Sequence, residues 1–572
     1  MATRIRSAAH LCTIALVLLG ASRHVHAGWS PDPGVNLRIC AAGQEQFLPV
    51  AASDGAGGIY IAWQDARETY PARVYLQRVA ADGATAWTVD GLPACLSESS
   101  TMVPAIVADG LGGAVVAWLD RRGAGGIRVQ RFSASGAASW APEGVVVCEA
   151  PGRQELPVLA ADGTGGVIVA WRDVRDDARG RIYAQHVAAH GGVTWAVNGV
   201  RVTTAGDWQT NPAIVADGSG GALVVWEHGL ATSGGYDGDI RAQRVSAAGL
   251  PAWPAEGVAL CSVAGTQGLP VVATDGDGGA IVAWSDGRDG PLGVYAQRVG
   301  PSGACLWEPQ GAALSAPGSD CSQPVLAADG AGGSFAGWRN WDADGCSLVV
   351  MKVASSGLPS WHAGRMSVVE PWAAGGNLAL VADSAAGVIV AWSDLPVADV
   401  NLDIFSQRFD ADGGAMWPGG ALVCTAADRQ ESPLIVGDGQ QGAIIAWHDL
   451  RDDALTAGDI YAQRVLADGR LAGSPAPVPE RAAQWLTCVP NPFNPQTEIR
   501  FEIPAAGPVR LDLSDVAGRR VRTLVAGERA AGVHRVRWDG TDEQGQGVAA
   551  GLYCARLVTT WGVSTFNVVL VR

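Results

Sequence analysis

Acidic and basic side chains recur along this chain at a fixed spacing, and they are the first candidates for chemistry. A Trp-x-Asp-x-Arg motif places a carboxylate two residues before a guanidinium at Asp65/Arg67, Asp120/Arg122, Asp173/Arg175, Asp286/Arg288 and Asp449/Arg451. Such groups could bind an anion or transfer a proton. Because five copies share the pair, we predict a local salt bridge or turn anchor instead of a site. The same holds for the Gln-Arg pairs from Gln77-Arg78 to Gln463-Arg464.

Metal and thiol chemistry have weaker candidates. Loop carboxylates suit calcium, and they occur at Asp237/Asp239, Asp275/Asp277 and Asp342/Asp344, but none completes a known calcium loop. We therefore predict structural turns and no cofactor, with calcium as the alternative. Cysteines that recur at one place of a repeat, such as Cys40 and Cys148, are predicted to be buried thiols, because equivalent positions in neighbouring copies lie too far apart to bridge. Disulfides Cys488–Cys554 and Cys321–Cys346 stay open as alternatives.

A few aromatic residues stand outside every repeated position and are the candidates for ligand binding. They are Trp208, Tyr236, Trp341 and Trp372, and we predict them on variable loops. Exposed aromatic rings there could stack on sugars or grip a peptide. The alternative is additional packing beneath long loops.

A tryptophan repeated every 53 to 58 residues decides which elements position these residues. It stands at Trp63, Trp118, Trp171, Trp226, Trp284, Trp338, Trp392 and Trp447. A second tryptophan follows at 22 to 27 residues in seven copies, from Trp87 to Trp417. Such a period indicates one structural unit copied eight times.

One copy, residues 156–202, shows what the unit is. An apolar strand at residues 157–161 leads through an Asp-Gly turn into a continuous β-branched run, 167–171, which we expect to be buried on both faces. An alternating strand at 182–187 and a short strand at 199–202 complete four antiparallel strands without a helix signal. This pattern predicts a propeller blade, and the variable loops of all blades should meet on one face of the ring.

The two ends of the repeat array complement each other. The eighth copy stops after its third strand, near Val465, whereas the segment from Trp29 to Cys40 matches the missing tryptophan and fourth strand. We therefore predict an all-β fold: an eight-bladed β-propeller over residues 28–473, closed by the N-terminal strand. An open solenoid is the alternative, although it would need atypical capping repeats.

The hairpin before the second tryptophan carries a family resemblance. Asp82-Gly83-Ala84-Thr85-Ala86-Trp87 and Asp412-Gly413-Gly414-Ala415-Met416-Trp417 resemble the degenerate Asp box of sialidase-type propellers, in which the box is structural. The resemblance covers about residues 28–473 and raises the question of glycosidase activity. A sialidase requires an arginine triad and a Tyr–Glu nucleophile. The Phe/Tyr-Arg-Ile-Pro signature is absent, and most arginines and tyrosines belong to the repeat. We therefore predict no catalytic residues.

A different pattern follows the propeller. Residues 474–485 form a Pro-rich linker, and residues 486–572 show non-repeating, alternating strands typical of a small β-sandwich. The Pro-Asn-Pro at Pro490, the Trp-Asp-Gly at Trp538 and the Gly-x-Tyr at Gly551 resemble the sorting domains of type IX secretion cargo. They also resemble the Ig-like domain of flagellar hook-capping proteins. The resemblance implies a sorting or attachment role, although the chain lacks a lysine-rich end.

Residues 1–27 and the charge complete the prediction. Arg4 and Arg6, the apolar run 11–19 and Val25-His26-Ala27 indicate a secretory signal peptide, and no later run is long enough to span a membrane. A net charge of −16 disfavours nucleic acid. We predict an extracellular or cell-surface, non-enzymatic protein whose partners are a glycan or protein ligand and the export and sorting machinery. The alternatives are a sialidase-like glycoside hydrolase and a structural envelope protein.

Overall fold

A computed structural model of the protein describes residues 28–68, 72–96, 101–122, 125–232, 235–342, 345–361, 366–369, 377–394, 401–451, 458–474, 487–503, 506–515, 519–559 and 562–571. The predicted signal peptide, Trp372 and, apart from Ser474, the predicted linker lie outside these residues. The described residues form strands and turns and no helix, so the all-β class is confirmed. The chain divides after Ser474 into two compact units.

The first unit contains eight antiparallel four-stranded sheets, numbered here in chain order. Sheet 1 comprises β2 (Gln46–Ser53), β3 (Ile59–Asp65), β4 (Arg73–Val79) and β5 (Leu92–Pro93). Sheet 2 comprises β6 (Thr101–Ala108), β7 (Ala114–Asp120), β8 (Gly126–Phe132) and β9 (Val145–Cys148), and sheet 3 comprises β10 (Gln154–Ala161), β11 (Val167–Asp173), β12 (Arg181–Val187) and β13 (Val200–Arg201). Sheet 4 comprises β14 (Trp208–Ala216), β15 (Ala222–Thr232), β16 (Gly235–Val245) and β17 (Val258–Cys261). Sheet 5 comprises β18 (Gln267–Thr274), β19 (Ala280–Asp286), β20 (Gly293–Val299) and β21 (Ala312–Ala313), and sheet 6 comprises β22 (Asp320–Ala328), β23 (Ser334–Asp342), β24 (Gly345–Val353) and β25 (Met366–Val369). Sheet 7 comprises β26 (Leu378–Ala382), β27 (Val388–Asp394), β28 (Asp403–Phe409) and β29 (Ala421–Cys424). Sheet 8 comprises β30 (Gln430–Gly437), β31 (Ala443–Asp449) and β32 (Asp459–Val465) together with the N-terminal strand β1 (Leu37–Cys40).

The second strand of each sheet is the most buried, as its apolar sequence predicts. In β11 every residue from Val167 to Trp171 is fully buried. A strand buried on both faces needs apolar side chains at consecutive positions, and β-branched residues suit the extended backbone. These strands form apolar cores with the neighbouring sheet; one core joins Val115 and Ile127 of sheet 2 to Val167 and Trp171 of sheet 3.

The turn between the first two strands is fixed by its aspartate. In sheet 1 the Oδ1 atom of Asp54 accepts hydrogen bonds from the backbone of Ala56 at 2.8 Å and of Gly58 at 2.7 Å. Its Oδ2 atom lies 2.7 Å from the guanidinium of Arg78 in the third strand. A side-chain acceptor in the turn satisfies amides that the ladder leaves unpaired, so the turn pins the hairpin register.

The N-terminal segment completes the last sheet. Leu37 of β1 pairs with Ala462 of β32, and the sheet order is β1-β32-β31-β30. The Trp29 indole donates a hydrogen bond to the carbonyl of Ala81 in sheet 1 at 2.8 Å. Trp29 and Leu37 share one apolar core with residues of sheets 1 and 8. The predicted closure by the N-terminal strand is therefore confirmed.

Two hairpins are longer than the rest. The strands β15 and β16 have eleven residues each, and β23 and β24 have nine, against seven in the corresponding strands of sheet 5. The variation of the sequence between copies favours variable loops at residues 227–239 and 340–345. This expectation is wrong for the described parts of both segments, residues 227–232, 235–239, 340–342 and 345, which continue the ladder of their sheet. At about 3.3 Å per residue, the sheet 4 hairpin extends roughly 13 Å further than that of sheet 5.

The second unit has two sheets. β33 (Thr487–Val489), β34 (Thr497–Ile503) and β37 (Gly532–Trp538) form one, and the other has the order β36 (Arg520–Arg529), β35 (Gly507–Asp515), β38 (Gly551–Thr559) and β39 (Gly562–Leu570). A single apolar core contains Phe493, Phe501, Trp538 and Tyr553. Two sheets around one core make the predicted β-sandwich.

Candidate functional site

The repeated Asp-x-Arg pairs are structural. In sheet 1 the Arg67 guanidinium lies 2.6 Å from Asp65, whose carboxylate also accepts the Trp63 indole N–H at 2.8 Å. Arg67 then stacks 3.9 Å from the centre of the Tyr75 ring. Salt bridges form in all five copies, so the prediction of a local salt bridge is confirmed.

The repeated cysteines belong to the same network. The Arg175 guanidinium lies 3.0 Å from the Cys148 sulfur, and Arg288 lies 3.1 Å from that of Cys261. Burial raises the pKa of both thiols to about 11. A protonated, buried thiol is a poor nucleophile, which agrees with a packing role. The alternative disulfide Cys488–Cys554 is wrong because both residues are free. The alternative Cys321–Cys346 stays a prediction because the Cys346 side chain lies outside the described residues.

The Gln-Arg pairs of the third strand are also structural. The Gln77 side chain donates to the Thr88 carbonyl at 2.8 Å and accepts from the Trp87 backbone at 3.1 Å. This holds the segment that carries the second tryptophan, whose indole bonds to the Ala134 carbonyl of the next sheet at 3.0 Å. The arginine pairs with the turn aspartate. In sheet 1 both members of the pair are therefore engaged within the scaffold.

Of the calcium candidates, Asp275/Asp277 is a turn as predicted, whereas Asp237 and Asp239 lie in β16 and Asp342 ends β23, so the expectation of turns was wrong for these three. Asp275 accepts the backbone amide of Asp277 at 2.9 Å, and both carboxylates pair with Arg298 at 2.9 Å. The side chains of Asp237, Asp342 and Asp344 lie outside the described residues. Within the described parts of the chain, no group of three or more His, Cys, Asp or Glu side chains could hold a metal ion.

The first strands of the eight sheets surround a cavity of about 1170 Å³. Its wall is largely aliphatic, with Val50, Ile106, Leu159 and Ile214 among its residues. Several polar residues also line it: Gln323, Arg339, Asn377, Glu431, Ser432 and His448. These polar residues lie at the starts of first strands or the ends of second strands, which is the face where the longer hairpins project. We call this end of the cavity the channel mouth.

The residue after each repeated tryptophan is the most varied position of the second strand. The eight copies carry Gln64, Leu119, Arg172, Glu227, Ser285, Arg339, Ser393 and His448. Two of them link neighbouring sheets beside the mouth. Arg172 pairs with Glu155 of its own sheet and donates to the Gln209 carbonyl of sheet 4 at 3.1 Å. Glu227, which is buried, accepts hydrogen bonds from Asn211 at 2.7 Å and from the Leu269 amide of sheet 5 at 2.5 Å.

The predicted aromatic candidates lie on strands, so the expectation of loops was wrong where it can be checked. Trp208 begins β14, is partly buried and lies 6.0 Å from the Arg172 guanidinium. Trp341 is partly buried in β23 and pairs with Asp320. Tyr236 belongs to β16, but its side chain lies outside the described residues. Trp372 lies outside them altogether.

A further set of mouth residues was missed in the sequence. Seven first strands contain a bulge near their start, where the residue before a proline has a positive φ of 47° to 56°. These residues, which we call the mouth ring, are Leu48, Val103, Leu156, Asn211, Leu269, Gln323 and Ser432. The available signal was the repeated x-Pro dipeptide: proline at a bulge in an otherwise β-forming run marks an interrupted ladder. Asn377 takes the corresponding place in sheet 7.

A sialidase-type site would bring three arginines together at this mouth. Among the described residues that line the cavity, Arg339 is the one arginine and Glu431 the one carboxylate. Glu155 and Glu227 are held by the partners given above. This arrangement suits hydrogen bonding to a ligand better than the paired carboxylates of a glycosidase.

Comparison with known proteins identifies one segment. Residues 491–562 match the FlgD Ig-like domain. This FlgD Ig-like segment covers most of the β-sandwich, in agreement with the hook-capping resemblance of the sequence. A comparison with curated proteins finds no match for the chain. None of the described residues belongs to a helix long and apolar enough to cross a membrane.

Solved structures with similarity to the chain are distant. A polysaccharide lyase of family PL25, an ulvan lyase, is 9% identical and covers 76% of this chain and 96% of its own, with a TM-score of 0.40. The α-L-arabinanase of Penicillium chrysogenum is 14% identical over 55% of this chain and 97% of its own, at 0.35. The endo-arabinase of Bacteroides thetaiotaomicron is 18% identical over 42% and 89%, at 0.24. Such low scores decide neither the detailed fold nor an activity.

Proposed function

We propose that the protein is an exported, non-enzymatic binding protein whose channel mouth binds an extracellular polymer or protein. The proposal is supported by the positions at which the repeated copies differ from one another. Scaffold positions carry the same Asp, Arg and Gln in sheet after sheet, whereas the residues after the repeated tryptophans and the mouth ring differ between copies. Varied side chains at one end of a rigid ring are the usual arrangement of a binding site.

The two alternative functions, a structural envelope protein and a glycoside hydrolase, require different features of the structure. A structural envelope protein would be favoured by a flat face, and the cavity of about 1170 Å³ argues against it. A glycoside hydrolase needs two carboxyl groups about 5 to 10 Å apart, one of them protonated. Glu155 is ion-paired with Arg172, and Glu227 accepts hydrogen bonds from Asn211 and from the Leu269 amide, so both carboxylates are engaged by the protein's own donors.

The test is a binding screen of the mature chain on glycan and protein arrays, run beside assays of glycoside hydrolysis. We expect saturable binding without turnover. The control variant Glu227→Gln keeps an acceptor oxygen for Asn211 and for the Leu269 amide, so it should bind as the parent chain does and reveal no activity. Turnover that is lost in Glu227→Gln, together with no ligand on either array, would favour the glycosidase instead.

We further propose that residues 1–27 direct export and that the FlgD Ig-like segment serves sorting or attachment at the outer surface. The charged start, apolar run and small residues before Gly28 support the first part. N-terminal sequencing of the secreted protein should give Gly28 as the first residue. Deletion of residues 486–572 should leave export across the inner membrane intact and abolish surface retention. Unchanged surface retention after this deletion would remove the sorting role.

A further inference from the structure

The mouth ring keeps side chains in a backbone conformation that favours glycine. A left-handed conformation costs a residue with a Cβ atom about 1 to 2 kcal/mol. At most other positive-φ positions this chain uses glycine, of which it has 76. The turn between the first two strands shows this: Gly57, Gly112 and Gly165 occupy equivalent left-handed positions. None of the seven ring positions is a glycine, although glycine would relieve the strain. Strain retained around one opening suggests that the side chains themselves are used.

Most ring side chains divide by chemistry, with Asn211 and Leu269 of sheets 4 and 5 between the two groups. Sheets 1 to 3 contribute Leu48, Val103 and Leu156, of which Leu48 lines the cavity together with Phe47. Leu48 is 58% exposed and Leu156 39% exposed. Aliphatic and aromatic groups left in solvent at the mouth of a cavity form an apolar wall that a ligand can cover.

On the other side of the mouth the ring residues are polar and uncharged, and Arg339, Glu431 and His448 also line the cavity there. Sheets 6 to 8 contribute Gln323, Asn377 and Ser432, all of which line the cavity. The Asn377 amide donates to the Ser432 hydroxyl at 3.1 Å, and Gln323 is exposed. Amide and hydroxyl groups can both donate and accept, so they match groups that do the same.

Resting on the proposed function, we propose that the ligand is a neutral carbohydrate chain that enters the channel mouth. Sugar rings present an apolar C–H face and an edge of hydroxyl groups, and the mouth offers an apolar wall with an amide and hydroxyl wall. The C–H face would cover Phe47 and Leu48, and the hydroxyl edge would bond to Gln323, Asn377 and Ser432.

Charge argues against the acidic alternatives. The net charge of −16 repels a polyanion. The carboxylates near the mouth are engaged: Glu155 with Arg172, Glu227 with Asn211, and Glu431 with Arg429 at 3.1 Å. A neutral ligand leaves these pairs undisturbed.

The experiment compares three glycine variants of the mature full-length chain on arrays of neutral glycans, acidic glycans and peptides. Gln323→Gly and Leu48→Gly remove ring side chains and relieve strain. Ala386→Gly is the matched control, since Ala386 has a φ of 64° in the turn at the opposite end of its strands. Melting temperatures are measured for all three.

We expect neutral oligosaccharides to bind. Each ring variant should bind about tenfold more weakly, as loss of one or two ligand contacts predicts, while its melting temperature stays level or rises. Ala386→Gly should bind as the parent chain does. Binding of acidic glycans alone, or of peptides alone, would overturn the assignment of a neutral carbohydrate ligand and leave the proposed function standing. Undiminished neutral-glycan binding by both ring variants would overturn the role of the ring. If no array showed a ligand, the proposed function would fail together with this inference.

Discussion

At the scale of single residues, the two tryptophans of each repeat have different roles. The first is fully buried in most sheets, as at Trp63 and Trp171, and it supplies the bulk of an apolar core. The second uses its indole N–H to bond to the next sheet, as Trp195 does to the Ala247 carbonyl at 2.9 Å. One residue type therefore both fills the sheets and joins them.

The buried Asp286 carboxylate, which accepts the indole N–H of Trp284, makes the stability of the protein depend on pH. Burial opposes ionisation of Asp286, but hydrogen bonds from Arg288 and Trp284 hold its pKa below the ordinary value. A carboxyl group whose pKa is depressed on folding adds stability above its unfolded pKa, and this stability is lost as the pH falls towards the folded pKa. The protein should therefore weaken below about pH 4.

The variant Asp286→Asn tests whether the Asp286 carboxylate links stability to pH. The variant leaves Arg288 without its carboxylate, so we expect the free energy of unfolding at pH 7 to fall by about 3 kcal/mol. The difference from the parent chain should shrink as the pH is lowered from 5 to 3. Urea denaturation across this range measures both effects. Asp289→Asn, in the exposed part of the same loop, is the control, and equal behaviour of the two variants would contradict the assignment.

At the scale of the element, glycine positions decide how closely a sheet packs on its tryptophan. A Cβ atom on Gly199 would lie 2.5 Å from Cη2 of Trp171 and 2.9 Å from the Ala184 carbonyl oxygen. Gly91, Gly144 and Gly311 meet their own tryptophans in the same way. The short fourth strand can cover the indole only because the preceding turn has no side chain.

Gly199→Ala and Gly163→Ala separate crowding from backbone strain. Both residues have φ near +80°, but a Cβ atom on Gly163 would meet nothing within 4 Å. We expect Gly163→Ala to cost about 1 kcal/mol from strain alone. Gly199→Ala should cost about 3 kcal/mol or more, because overpacking adds to the strain. Melting temperatures of the two variants measure the difference, and equal losses would show that the indole moves aside freely.

At the scale of the whole molecule, the closure of the first unit depends on its first residues. β1 and Trp29 join the end of the repeat array to its beginning, and the Gln463 side chain holds the Ser30 carbonyl at 2.7 Å. Without this segment β32 would be an open edge, with unpaired backbone groups that invite association.

Deletion of residues 28–40 should therefore destabilise the whole unit. Losing a strand and its core residues removes several kcal/mol, so we expect a melting temperature lower by roughly 10 °C and aggregation on heating. Scanning calorimetry and light scattering measure these effects. Val35→Ala, in the same segment with its side chain exposed, should change stability by less than about 0.5 kcal/mol. A deletion variant that melts with the parent chain would contradict this role of the segment.

Much of the fold could be predicted because its signals are local and repeated. The apolar, mainly β-branched run at Val167–Ala170 and the Asp-Gly turn before it predict a hairpin wherever they occur. The eighth copy lacks a fourth strand after Val465, and the segment that begins at Trp29 matches that missing strand. The sequence therefore predicts which strand completes the last sheet. The hairpin of Trp341 escaped prediction because its strand residues are polar and irregular, and their pairing depends on the ladder already formed below them.

The sequence by itself determined the repeat, the strands, the closing segment and the structural nature of the Asp-x-Arg pairs, since each depends on residues close in the chain or on copying. Only the tertiary structure decided which side chains meet at the channel mouth. Leu48, Gln323 and Ser432 come from separate sheets, far apart in sequence, and ring closure brings them to one opening. Their direction depends on a left-handed bulge before a proline, and the repeated x-Pro dipeptide marks the interrupted ladder without fixing where the side chains point.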